Sequence, residues 1–185
     1  MARNTTYRVM HDVGLAAWFG GTLANAVSLN PAAAQAGDPS ATGAVANTGW
    51  NRWEPVNGAA ICVHLAGSVG LLVVNLQRVT AQRGVGSMSL AKAGLTATAL
   101  GVTAYSRVLG RKVSRETRVP AASGTEPAET TPSGVANAQR QLAVLQWVVP
   151  ALTGALVGVS AFAGEQQRPS ETLKGVLARV VGWNF

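Results

Sequence analysis

The stretch "WNRWEPVNGAAICVHLAGSVG", Trp50 to Gly70, sets two tryptophans astride Arg52, follows them with Glu54 and Pro55, and then runs apolar with His64 inside it. Two readings compete. Arg52, Glu54 and His64 can be the side chains of an active site, or the charged cluster can mark the boundary of a helix entering a membrane. Indole rings settle at headgroup depth, where an arginine reaches phosphates. An acid suits the positive start of a helix, and a proline suits its first turn. The stretch therefore predicts interface anchors at Trp50, Arg52 and Trp53 and a transmembrane helix over 55–77, closed by Arg78 and Arg83. At about 1.5 Å per residue that length crosses a hydrocarbon core of ~30 Å. His64, about three turns further in, is left without a role by this reading.

Composition agrees with a membrane. Only 12% of the 185 residues are charged and 48% are apolar, where soluble domains carry about 25% charged residues. The 21 glycines suit helices whose backbones approach closely in lipid. The net charge of +7 raises the question of nucleic acid. The basic residues lie between apolar segments, and no interleaved basic-aromatic surface is visible, so that class is set aside. The single cysteine, Cys62, has no partner for an internal disulfide and reads as a small buried hydrophobe.

Working outward, "VMHDVGLAAWFGGTLANAVSL" predicts a first span over 9–29. The "AQA" at Ala34 to Ala36 resembles a signal-peptide cleavage site. His11 and Asp12 at the head of the apolar run are foreign to a signal core, so a retained helix is expected. Asn30-Pro31 and Asp38-Pro39 each set a capping side chain before a proline, predicting short surface helices or a loop. A third span over 87–109 is long enough only if Lys92 and Arg107 snorkel outward. The Pro-, Ser-, Thr- and acid-rich segment 119–138 reads as a mobile loop. A fourth span over 141–164 contains Pro150, expected to kink it, and the pair Gly154 and Gly158, a GxxxG expected to pack on a neighbour. Last, "PSETLKGVLARVVGWNF" sets Leu173, Val176, Leu177 and Val180 on one face, predicting an amphipathic interfacial helix over 170–183 with Trp183 as a further anchor.

The expected fold is thus an all-α integral membrane protein. It has a bundle of four transmembrane helices plus the C-terminal interfacial helix, set in the inner (plasma) membrane. Basic residues argue for three spans instead. Four spans divide Lys and Arg almost evenly between the two sides, whereas a non-spanning third segment gathers most of them on one side.

Chemistry is sparse. His11 and His64 can in principle ligate a haem. In antiparallel helices their depths should differ by roughly 10 Å, which opposes a paired ligation. Asp12 can pair with Arg8 one turn back, or serve a quinone or a proton relay. Asn57, Asn75, Thr96, Thr98, Thr103 and Gln146 are read as interhelical hydrogen-bonding positions. No phosphate loop, zinc spacing, catalytic carboxylate pair or nucleophile elbow is visible.

At "YRVMHDVGLAAWFGGTLANAVSLNPAAA", "GWNRWEPVNGAAICVHLAGSVGLL" and "AKAGLTATALGVTAYSRVLGRKV" the chain resembles a group of small multi-pass membrane proteins of actinobacteria, a resemblance that implies no chemistry. In size and layout it is also similar to accessory subunits of the actinobacterial cytochrome bcc–aa3 respiratory supercomplex, including the prokaryotic respiratory supercomplex association factor. That resemblance implies a non-catalytic subunit packed in the bilayer against larger respiratory membrane subunits, with no cofactor of its own. A redox protein holding haem or quinone at His11, Asp12 and His64 is the alternative, and a small transporter or channel a third.

Overall fold

The computed structural model describes residues 4–81, 85–115 and 119–165. Helix α1 (Thr5–Ala24) runs through a π-helical turn (Asn25–Leu29) into the short α2 (Asn30–Ala33) and a 3-10 turn. Gly37, at φ 87, takes the left-handed conformation that ends this rod and is costly for a residue with a Cβ. Asp38 then caps the next helix, its carboxylate accepting from the Ser40 and Ala41 amides at 2.9 and 3.2 Å. With Pro39 at the first position, the cap starts α3 (Pro39–Val74) as expected. The helix does not stop at the tryptophans. It runs 36 residues, so Pro55 lies inside it rather than at a start, and the predicted surface piece and second span are one element. A proline forfeits one backbone bond, and the helical turns on either side carry α3 across that gap. After Asn75 come α4 (Leu76–Ala81), α5 (Val85–Ser114) and α6 (Ser133–Glu165), the last containing Pro150.

Among the described residues the architecture is helical, with one isolated bridge between Ala121 and Pro127. Among the described residues two helices, α3 and α6, are long and apolar enough to cross a membrane. Of the four expected spans, the second and fourth meet this measure, and the helices formed by the first and third do not. The first segment forms a 20-residue helix bearing Arg8, His11 and Asp12, and α5 carries Lys92, Arg107, Arg111 and Lys112. These charges dilute the apolar windows of both. The expected interfacial helix over 170–183, with Trp183, lies outside the described residues.

Helices α1 and α3 form an antiparallel seam. A Cβ on Gly14 would stand 2.5 Å from the Ala60 carbonyl oxygen and the His64 amide, and one on Gly67 would meet the His11 backbone. Only hydrogen fits at these crossings, so backbones touch, as small residues on packed helices allow. Elsewhere Leu15 and Trp18 of α1, Ala99 of α5, and Val149 and Leu156 of α6 form one buried core. Leu109 and Val113 join Val119, Val135 and Ala138 in a second.

The segment 119–138, predicted as a mobile loop, is instead packed. Val119 and Ala121 are buried, and the Val119 carbonyl lies against Gly43 of α3. The Ala121 amide donates to the Pro39 carbonyl and the Gly124 amide to the Asn30 carbonyl, each at 3.0 Å. Residues from Ser133 onward belong to α6. A loop poor in apolar residues is held because backbone groups of neighbouring segments accept its donors, a source of order that composition does not show.

Candidate functional site

Asn30, read from sequence as a cap, is the hub of a polar node. It is 2% exposed, and its side chain works in both directions. Its Nδ2 donates to Gln146 Oε1 at 2.7 Å, and its Oδ1 accepts from Trp50 Nε1 at 2.9 Å. Gln146 in turn donates to Thr125 Oγ1 at 3.1 Å. The node ties α2, α3, α6 and the 119–132 segment together, each bond contributing about 1 kcal/mol. Of the polar positions predicted to bond between helices, Gln146 does so. Asn75 and Thr98 donate to carbonyls four residues back on their own helices, the cheaper bond for a short side chain.

The tryptophans expected as interface anchors are engaged with protein. Trp50 is bound to Asn30, and the ring of Trp53 lies where a Cβ on Gly21 would be. Arg52 is exposed on α3. Glu54 reaches across to α5, pairing with Arg107 and facing Arg111 at 3.7 Å. The pair lines a cavity of about 130 Å³ among α3, α5, α6 and the 119–132 segment. Trp53 and Asn57 on one helix, and Thr103 and Arg107 on the other, are each four residues apart and so share a face. All four line that cavity, and Trp53 Nε1, Asn57 Oδ1, Thr103 Oγ1 and Arg107 Nε are buried without hydrogen-bond partners. Two fixed donors, an amide oxygen and a hydroxyl around a space of this size can hold hydrogen-bonded water.

His11 and His64 meet in the α1–α3 seam, 2% and 1% exposed. Their ring centroids are 4.6 Å apart at 50°, and Trp18 lies 6.2 Å from His64. The depth difference of roughly 10 Å expected from sequence is not found. Helix α1 starts at Thr5 and α3 ends at Val74, and their register sets Gly67 opposite His11 and Gly14 opposite His64, about one turn apart. His64 Nδ1 donates to the His11 carbonyl at 3.0 Å, and His11 Nδ1 to Asp12 Oδ1 at 2.7 Å. These bonds place the proton on Nδ1 of each ring. Asp12 thus pairs with its neighbour His11. A haem held on both faces needs two nitrogens each about 2 Å from the iron and rings pointing apart. Rings in tilted contact, with centroids 4.6 Å apart, do not provide that arrangement. Among the described residues no group of three or more His, Cys, Asp or Glu is placed to hold a metal.

Gly154 packs as the GxxxG reading expects, with a Cβ there 3.2 Å from the Phe19 ring of α1. Gly158 has open space around it, so the motif works through one glycine. Cys62, read as buried, is exposed on the outer side of α3. Sequence reasoning missed Asn30 and the Glu54–Arg107 pair. The available signal was a lone amide or charge at the end of each of several apolar runs, which does not say which run supplies the partner. Compared with known protein families, curated proteins and solved structures, the chain matches none.

Proposed function

We propose that this chain is a multi-pass protein of the plasma membrane. Helices α3 and α6 cross the bilayer, α1 and α5 complete a four-span bundle, and the whole serves as a non-catalytic accessory or assembly subunit of a larger membrane complex. The observation that carries the reading is where the apolar surface points. The most apolar windows of α3 and α6 are only 17% and 22% buried inside the protein. Val56, Val63, Val69 and Val73 face outward on α3, as do Val144, Trp147, Val157 and Phe162 on α6. In water so much continuous apolar surface would drive association, whereas in lipid or against partner helices it is matched. The polar side chains of the Asn30 node are spent on joining helices, which suits a structural role. The resemblance to accessory subunits of a respiratory supercomplex supports a respiratory partner of the bcc–aa3 type.

Mild-detergent extraction followed by native gel electrophoresis and partner identification tests this. The expected outcome is migration with larger membrane subunits at a fixed ratio. Recovery only as a free monomer contradicts the subunit role.

A further inference from the structure

Neither the core nor the polar node accounts for Lys92. It lies two turns into α5, on the wall of a cavity of about 380 Å³. That volume falls within the range of small-molecule pockets. Leu65, Val69 and Leu72 of α3 and Met88 of α5 line the cavity, with His11 of α1 at one wall. The described hydrogen bonds and ion pairs give Lys92 no partner. Asp12 and Arg8 of α1 face it, and Asp12 is already hydrogen-bonded to His11, so the lysine has no carboxylate to itself. Ser89, one turn before it, lines the same space and adds a hydroxyl. An ammonium beside an apolar slot is complementary to a molecule with an anionic head and an apolar tail.

We propose that this groove binds one acidic phospholipid, its phosphate on Lys92 and one acyl chain along Leu65, Val69 and Leu72. The proposal rests on the membrane reading above. A zwitterionic lipid fits less well, because it brings a second cation towards Lys92 and Arg8. A free phosphate leaves the apolar wall uncovered.

The test uses the full chain extracted in mild detergent and examined by native mass spectrometry after addition of phosphatidylglycerol, phosphatidylcholine of the same chain length, or inorganic phosphate. One phosphatidylglycerol retained per chain is expected, with the other two probes lost on activation. Lys92→Gln should lower retention of phosphatidylglycerol at least tenfold, and Lys92→Arg should keep it. Met88→Trp, which fills the slot and leaves the ammonium, should also lower retention. Circular dichroism checks that the variants are folded, and the Lys92→Arg protein serves as the folded comparison if Lys92→Gln is not. Equal retention of the two lipids, or retention indifferent to both Lys92→Gln and Met88→Trp, overturns the lipid site. Recovery of the chain in the aqueous fraction before any detergent is added overturns the membrane reading instead, so the two failures are told apart.

Discussion

Helix α3 meets its two neighbours in opposite ways. Against α1 it forms a close seam in which Gly14 and Gly67 let backbones touch and two imidazoles pack at a tilt. Towards α5 the two helices stand apart, joined across a small cavity by Glu54 and Arg107. The first contact is defined by atoms that are missing, the second by charges that are present. A seam of the first kind should fail when volume is added. A bridge of the second kind should fail when charge is removed and should tolerate added apolar volume.

The largest effect is expected from Gly14→Leu. The new side chain meets the Ala60 carbonyl and the His64 backbone, neither of which can turn away. Overpacking of this kind costs about 3 kcal/mol or more. Thermal melting followed by circular dichroism in detergent should show the variant unfolded or strongly destabilised. A melting curve like the parent's would mean that the seam is looser than described.

A smaller loss is expected from Glu54→Gln. It leaves Arg107 and Arg111 near one another without their carboxylate. Both members of the pair are about a third exposed or less, so solvent screens part of the effect. A destabilisation of about 1–2 kcal/mol follows. The double variant Glu54→Gln with Arg107→Gln should recover part of it. Strict additivity of the two single changes would show that the bridge carries no coupling.

The smallest effect is expected from Asn57→Leu. Its buried oxygen has no partner, so replacing the amide removes a cost and fills space. Stability should stay within about 0.5 kcal/mol of the parent or rise slightly. A large loss would mean that Asn57 belongs to a hydrogen-bonded network through the cavity.

The same contrast explains what the sequence made legible. Helix positions could be read, because Asp38-Pro39 is a local cap and the apolar runs are long. The seam was half legible. Small residues predicted close packing, but the register that sets His11 against His64 depends on where each helix starts and stops, and α1 begins before its predicted span while α3 ends short of its own. The bridge was not legible. Glu54 and Arg107 lie in segments far apart in the chain, and each alone looks like a residue at a membrane boundary. The order of 119–132 was hidden for a related reason, since it comes from carbonyls of Pro39 and Asn30 that any residue would supply.

Cys62 offers the most direct test of the claim that α3 lies in lipid. It is the chain's single cysteine and sits on the exposed side of that helix, so protein atoms do not protect it. Intact membranes would be treated with a membrane-impermeant maleimide, and a second sample treated after denaturation in SDS. Bilayer embedding predicts negligible labelling of Cys62 in the membranes and full labelling after denaturation. Rapid labelling of the native protein would contradict it.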